Sequence, residues 1–538
     1  PERLAAYIRD LRALLQEYGL DACYYAHASV GCLHVRPVLS LKEPGAPARM
    51  REIAGRVADL VLRYDGAMSA EHGDGLARSE WQERMFGSRL YQAFRELKAA
   101  FDPQGIMNPG KIVDAPPMDQ NLRVIATGGA PVLTVLDFSR DGGLERAAEL
   151  CSGAGACRKK LDGAMCPSYR ATLDETHSTR GRANMLRMVL AGASGSKGLA
   201  DPRLREVLDL CLECKTCKSE CPSNVDMAKL KYEFLAHYHA AHGAPVRARL
   251  LGHIAELSRL ASPVAPVANW LQSLPAVRLL LDRLGIDRRR KLPAFAERPF
   301  ADWWRVHRSD ARAGVRGDVM LLIDTFTRYN EPEVGQSAVR VLEAVGYRVR
   351  VPELKCCGRP LISKGFLAEA RANALHNLAE LAPHVHRGLP LLTLEPSCGV
   401  TFKDEYTEFG LGDLAQTVAG TTWLLEDFLA ARHEGQSDLP FRPQSREVRF
   451  HGHCHQKAVF GTAGALSALR MVPGYEVSEI PSGCCGMAGT FGYEKEHYDL
   501  SLQIGELSLF PHVRSAPEDA LIVAPGTSCR HQIAHATG

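Results

Sequence analysis

The 538-residue sequence lacks any run of about 18 apolar residues, so no transmembrane helix is expected. It also lacks a charge excess. Its 65 basic and 62 acidic residues leave a net +3, which argues against a protein organised around nucleic acid. An initiator Met and a charged-then-apolar leader are missing too. Opening at Pro1, the chain reads as the C-terminal part of something longer, not as a secreted precursor. Apolar residues are not scarce. At 46% hydrophobic and 24% charged, disorder as the main state is excluded, and the length suits roughly three to four domains.

What the sequence does have is sixteen cysteines in clusters. They are too sparse for a disulfide scaffold, and their grouping points to metal or redox centres in a reducing, cytoplasmic compartment.

The expected fold is multidomain, α/β and α+β. Residues 1–115 carry amphipathic helices around a strand pair, Ala22–Ala28 and Cys32–Leu39, broken near Gly31. Residues 116–145 read as a linker and residues 146–243 as a cysteine-rich helical domain. Residues 244–312 form a Pro-rich helical linker whose basic run Arg288–Lys291 suits a solvated face or a membrane-surface or partner contact. Residues 313–435 and 436–538 are two copies of one unit. Their Cys-Cys-Gly motifs, Cys356-Cys357-Gly358 and Cys484-Cys485-Gly486, lie 128 residues apart, and Cys398 and Cys529 lie 131 apart. Alternating strands and helices in each copy imply parallel sheets.

Cys211-x2-Cys214-x2-Cys217-x3-Cys221-Pro222 lets three thiolates wrap one cubane while the fourth reaches a second cluster. A partner motif lies upstream at Cys151, Cys157 and Cys166-Pro167, with Ala154 at one ligand position. By the crossing rule Cys211, Cys214, Cys217 and Cys166 hold a complete [4Fe–4S] cluster. Cys151, Cys157 and Cys221 then give only three thiolates to the second. That centre is [3Fe–4S], or [4Fe–4S] with a non-cysteine ligand, or defective.

In copy two, Cys454, Cys484, Cys485 and Cys529 make a full metal or cluster constellation, flanked by His453 and His455. Copy one has Cys356, Cys357 and Cys398 but Thr325 and Phe326 where a fourth cysteine is due. Copy one is either a working site or a structural remnant. Near the N-terminus, His27 and His34 are separated by an odd offset that a flat strand would split between faces, and a turn near Gly31 reunites them. With Glu71 of Glu71-His72-Gly73 they suit a divalent metal with an open position; unrelated core and surface histidines are the other reading. Cys23 and Cys32 read as packing residues.

Residues 1–115 resemble the C-terminal part of FAD-linked oxidases acting on D-2-hydroxy acids, such as D-lactate and D-2-hydroxyglutarate dehydrogenases. The carrying residues are His27-x6-His34, Glu71-His72-Gly73 and Phe101-Asp-Pro-Gln-Gly-Ile-Met-Asn108-Pro-Gly-Lys111. The rest resembles the iron–sulfur subunit of glycolate oxidase and the Cys-Cys-Gly subunit of heterodisulfide reductase. The resemblance implies an FAD-linked oxidase C-terminal domain, a two-cluster ferredoxin domain and a duplicated Cys-Cys-Gly domain. It implies a divalent metal, usually zinc, on His27, His34 and Glu71, with His72 as general base and Asn108 near the flavin. The main FAD-binding domain of such enzymes has no counterpart here. The usual Gly-Asp-Gly-Asn stretch between the two histidines is Ala28-Ser-Val-Gly-Cys32, and an Asn common two residues after the second is Arg36.

The implied activity is oxidation of D-lactate, D-2-hydroxyglutarate or glycolate, with hydride passing to the flavin. Electrons then pass through 4Fe-4S clusters to a quinone or another carrier. Arg36 and Arg78 are candidates to clamp the substrate carboxylate. The alternatives are an electron-transfer protein without its own substrate site, and heterodisulfide reductase-like thiol chemistry. The expected location is cytoplasmic, with a peripheral contact at the inner membrane face as a further option.

Overall fold

The computed structural model describes residues 2–122, 132–193, 195–433, 435–436 and 439–538. They fall into two units, Pro1–Gly129 and Ala130–Gly538.

In the first unit the helix Leu4–Glu17 buries Leu11, Leu14 and Leu15, the face its apolar spacing defines, against Ile53 and Leu60 of helix Ala46–Arg63. Strands β1 (Ala22–His27) and β2 (Cys32–Pro37) form an antiparallel hairpin. Between them lies a short 3-10 turn, Ala28–Val30, closed by Gly31 at φ +70°, a conformation glycine adopts without strain. The last helix, Gln82–Phe101, is broken at Gly87, so its regular part is Ser88–Phe101.

The expected linker 116–145 is only partly one. Its stretch 123–131 lies outside the described residues, but Leu136, Phe138 and Leu144 are buried in the main core of the second unit. There, Glu233 at the centre of helix Met227–His242 accepts the backbone amides of Val135 and Leu136, each at 3.0 Å. Buried apolar side chains outweigh the Pro and Gly content that marked the segment as open chain.

The duplicated region folds as two parallel sheets. Copy one gives β3 (Asp318–Leu322), β4 (Arg348–Arg350), β5 (Leu391–Thr393) and β6 (Thr422–Leu424) in the order β4-β3-β5-β6. Copy two gives β7 (Arg446–Phe450), β8 (Tyr475–Glu479) and β9 (Leu521–Val523) in the order β8-β7-β9. The first three strands of each copy therefore have the same order, as the 128-residue offset requires. In each sheet the chain leaves the central strand to one side first and then to the other. The carboxyl ends of its strands form the crevice where open α/β sheets bind ligands.

The basic run 288–291 is exposed except at one residue. Arg289 pairs with Asp287 and Asp499, and Arg290 is buried, donating to Gly492 O at 2.8 Å and Ser501 Oγ at 3.1 Å. Arg288, Arg289 and Lys291 are exposed, as the solvated-face reading expects, and Arg290 alone departs from it. Its arginines pin the helical segment to copy two.

One carboxylate of this unit has a testable cost. Burial pushes Glu426, at the start of helix Leu425–His433, up to about 7 from 4.5. Its Oε1 accepts from Gln456 Nε2 at 3.1 Å. A folded-state value above the unfolded one means the folded chain holds the proton more tightly. Stability is therefore lost as pH rises from about 4.5 through about 7. Glu426→Gln is expected to raise the thermal unfolding midpoint at pH 8 and to change it little at pH 4, measured by differential scanning calorimetry.

Candidate functional site

The hairpin register settles the odd spacing of the two histidines. His34 opposes Tyr25, and His27 lies two residues on from Tyr25, so both imidazoles leave the same face. Glu71 comes to meet them on a loop that turns at Gly73, whose φ is +70°. Its Oε1 lies 2.8 Å from His34 Nε2, 3.8 Å from His27 Nε2 and 3.2 Å from His72 Nε2. Donor atoms of His27, His34 and Glu71 all fall within 4.8 Å of one another, a spacing that fits one metal ion.

His34, Arg36, Glu71, His72 and Arg78 line a common open pocket of about 710 Å³. Arg78 Nη1 donates to Gly73 O at 2.9 Å, so it also stakes the loop that carries Glu71 and His72. Arg36 lies 5.9 Å from the Tyr25 ring, on the histidine face of the hairpin. Asn108 sits in a separate loop at φ +48°. Asp102 anchors that loop by accepting the Ile106 and Met107 amides, each at 2.9 Å. The adjacent Lys98 holds the Asp102 carboxyl below its ordinary range. Cys32 packs as expected, but Cys23 is exposed.

In the second unit Cys151, Cys157, Cys166, Cys211, Cys214 and Cys217 are buried and Cys221 is half-buried. Cys166, at φ +51°, opens helix Pro167–Thr172 and accepts from Thr179 N at 3.0 Å. It faces Cys157, whose sulfur also accepts from Arg180 N at 3.4 Å; the bond from Cys166 holds the Cys157 thiol below its ordinary value. Cys211, Cys214 and Cys217 gather on the loop before and within helix Thr216–Glu220. Burial, with Cys454 nearby, pushes Cys214 up to about 12. This loop adjoins copy two directly. Leu212, Cys214, Cys454 and Cys484 share one apolar cluster, and His455 Nε2 lies 2.8 Å from Glu213 O.

The Cys-Cys-Gly sites occupy matching places, each at the carboxyl ends of its strands. In copy two Cys454 follows β7, Cys484 and Cys485 follow β8, and Cys529 follows β9. Their thiols form a chain of contacts from Cys454 through Cys484 and Cys485 to Cys529. Gly486 must be glycine. Its φ is +91°, and a Cβ there would sit 2.1 Å from Ser501 O.

In copy one Cys357 Sγ lies 3.2 Å from Cys398 Sγ. Asp324 caps the helix after β3 as His453 caps the helix after β7, which makes Thr325 the counterpart of Cys454. The Thr325 hydroxyl accordingly hydrogen-bonds Cys356, as Cys454 bonds Cys484. The electrostatics differ. All three copy-one thiols are raised: Cys356 by its bond with Cys357 and burial; Cys357, against the bond from Cys356, by its bond with Cys398 and burial; and Cys398, against the bond from Cys357, by burial, to about 12. In copy two the shifts alternate: bonds between neighbouring thiols hold Cys454 and Cys485 below the ordinary thiol value and push Cys484 and Cys529 above it. Copy two offers four thiols where copy one offers three.

Beside it lies a cavity of about 180 Å³. Leu251, Ile254, Leu292, Phe326 and Tyr493 supply apolar wall, with Cys454, Cys484 and Cys485 on one side. His455 also lines it, 7% exposed and with no hydrogen-bond partner for Nδ1. Sequence patterns gave no sign of this cavity, because its walls come from segments scattered between residues 212 and 531.

Residues 1–112 match the family described as FAD linked oxidases, C-terminal domain. Residues 147–225 match the 4Fe-4S dicluster domain, and residues 325–403 and 448–534 match the Cysteine-rich domain. A component of the anaerobic glycerol-3-phosphate dehydrogenase of Escherichia coli is 33% identical over 325 residues, which cover 59% of this chain and 79% of that component. The chain belongs to the family of fused FAD-linked oxidases and iron–sulfur oxidoreductases.

The D-2-hydroxyglutarate dehydrogenase of Pseudomonas putida is 31% identical over 583 residues, which cover 100% of this chain and 56% of that enzyme. The chain thus spans about half the length of the full-length relatives it matches. The GlcD component of the glycolate oxidase of Escherichia coli is 34% identical over 108 residues, which cover 20% of this chain and 22% of GlcD. No solved structure matches. The chain carries the domains of an FAD-linked oxidase and of a 4Fe-4S dicluster protein, as its motifs implied. No helix among its described residues is long and apolar enough to cross a membrane.

Proposed function

We propose that the chain is the substrate-metal and electron-export part of an FAD-linked dehydrogenase that oxidises a D-2-hydroxy acid. The observation that carries this reading is the convergence of His27, His34 and Glu71 within 4.8 Å beside the unligated His72. When bound, a divalent cation, zinc by resemblance, lowers the pKa of a coordinated hydroxyl, FAD accepts hydride and iron–sulfur clusters relay single electrons. His27, His34 and Glu71 would hold the cation. His72 Nε2 takes the substrate hydroxyl proton, from a pocket open enough for the acid to enter. Arg36 and Arg78 line the same pocket and offer two separate guanidinium groups. Two clamps suit a dicarboxylate better than a monocarboxylate, which favours D-2-hydroxyglutarate over D-lactate or glycolate.

Electrons leave through the two ferredoxin cysteine sets. Cys211, Cys214, Cys217 and Cys166 form one set, and Cys151, Cys157 and Cys221 the other. The copy-two thiols Cys454, Cys484, Cys485 and Cys529 follow, since Cys214 and Cys454 share an apolar cluster. The cavity beside copy two, apolar-walled with His455 Nδ1 unpaired, suits a quinone ring as the acceptor. A peripheral membrane contact is supported by Leu260, Trp270 and Leu280, exposed on the helices of residues 254–283.

Metal removal tests the reading. Dialysing the flavin-loaded holoenzyme against a chelator is expected to abolish flavin bleaching by D-2-hydroxyglutarate in stopped-flow absorbance, and added zinc should restore it. Bleaching at full rate in the metal-free protein would eliminate the His27–His34–Glu71 site from the reaction. Glycerol 3-phosphate and D-lactate, run in parallel, test the substrate assignment.

A further inference from the structure

His451 belongs to no motif, yet it is the buried nitrogen that best fits the copy-two site. It follows β7, is fully buried, and its backbone amide donates to Val523 O of β9 at 2.8 Å. Its Nδ1 lies 2.7 Å from Ser482 Oγ. Its buried Nε2 has no oxygen or nitrogen partner, and the group it meets is the Cys485 thiol. What surrounds the ring on the far side is sulfur. One donor atom each from His451, Cys485 and Cys529 falls within 4.8 Å of the others, and all three residues are buried. An imidazole held through one nitrogen by a hydroxyl, with the other nitrogen against thiols, has the arrangement of a metal-ligating histidine and its orienting partner.

The twin copy provides a control within the molecule. The capping that pairs Asp324 with His453 makes Leu322 the counterpart of His451. Leu322 is buried at 5% exposure in the apolar cluster that also holds Cys357 and Cys398. Copy one, which lacks a fourth thiol at Thr325, also lacks this nitrogen. The donor count then bears on what is bound. A structural zinc takes four ligands, whereas Cys454, Cys484, Cys485, Cys529 and His451 are five. Five donors suit a polynuclear iron–sulfur centre.

We propose that His451 Nε2 is the nitrogen ligand of an iron–sulfur centre held in copy two by Cys454, Cys484, Cys485 and Cys529. The proposal rests on the reading that copy two carries a redox centre. An imidazole as the fifth ligand adds no negative charge, unlike a fifth thiolate, so it leaves the centre at a higher potential than five thiolates would. Such a centre sits lower in energy for the arriving electron than an all-thiolate one, as the last relay before an acceptor should.

The test uses the full chain, reconstituted anaerobically with iron and sulfide and poised where the copy-two centre is paramagnetic. Pulsed EPR should show a strong nitrogen coupling that changes from ¹⁴N to ¹⁵N in protein labelled with [¹⁵N]histidine. The coupling should vanish in His451→Ala. His451→Cys, which restores a thiolate, should keep the iron and lower the midpoint potential. The difference spectrum against His451→Ala separates this nitrogen from any ligand of the cluster that lacks a thiol at Ala154. Iron present with a nitrogen coupling unchanged in His451→Ala, or with none in the labelled wild type, overturns the assignment and leaves the copy-two centre standing. An iron content that Cys485→Ser does not reduce overturns the centre itself, and His451 with it.

Discussion

Replacing His72 by Ala is expected to slow flavin reduction by D-2-hydroxyglutarate in the holoenzyme by about 10²–10⁴-fold, the range a positioned general base contributes. The geometry separates this residue from its neighbours. His27 and His34 leave the hairpin together, and Glu71 reaches both. His72, next in sequence, sits 3.2 Å from the same carboxylate oxygen, with its ring 5.1 Å from that of His34. It is close enough to receive a proton from a hydroxyl held at the metal. His72→Ala should therefore leave bound zinc, iron content and cluster absorbance unchanged. His34→Ala should lower zinc itself, because it removes a donor 2.8 Å from Glu71. Elemental analysis with stopped-flow absorbance checks both. Loss of zinc in His72→Ala would make His72 a ligand, and unchanged flavin reduction would remove it from the proton path.

Most of the architecture was legible because it repeats. Two Cys-Cys-Gly motifs at a fixed offset imply two equivalent sheets, and β4-β3-β5 and β8-β7-β9 have the same order. The histidine pair was legible because a turn at Gly31 is the only local way to reconcile an odd spacing with a shared face. Other features depend on phase or on distant partners. Thr325 and Phe326 were equal candidates for the position of Cys454, and only the capping of the two helices by Asp324 and His453 selects Thr325. His451, His453 and His455 alternate around Cys454, and sequence alone favoured the two flanking residues. The sheet chooses otherwise. His453 turns back to cap its helix and His455 reaches Glu213, so His451 is left facing Cys485 and Cys529. In the otherwise exposed run Arg288–Lys291 the burial of Arg290 was not legible, because its anchors Ser501 and Gly492 lie some two hundred residues away.

Lys215→Met is expected to destabilise the second unit by about 3–5 kcal/mol, because it strands buried carboxylates without their cation. Lys215 lies between two cluster cysteines, at positions the ferredoxin spacing leaves free, and its side chain is 1% exposed. Its Nζ is 2.6 Å from Asp404, 3.1 Å from Glu405 and 3.6 Å from Asp226. Burial alone would pull its pKa down, but Asp226, Asp404 and Glu405 outweigh burial and raise it well above 10.5. The cost should fall near the lower end of the range. Lys218 still reaches Asp404 at 2.5 Å, and Arg359 still reaches Glu405 at 2.7 Å. Against a typical domain stability of about 5–15 kcal/mol this is a large fraction, readable as a lower urea midpoint. Neutralising the stranded acids at the same time, as Lys215→Met with Asp404→Asn and Glu405→Gln, should recover most of the loss. The lone Lys218→Met, whose side chain is 34% exposed, should cost clearly less than Lys215→Met. The distinction matters for electron transfer. The same lysine ties the loop carrying Cys214 and Cys217 to the copy-one helix that carries Asp404 and Glu405. Cluster loops held by buried charge cannot drift from the copy-two thiols that Cys214 adjoins. If Lys215→Met left the urea midpoint unchanged, the three carboxylates would have to be protonated in the folded chain, and the ion-pair account of this junction would fail.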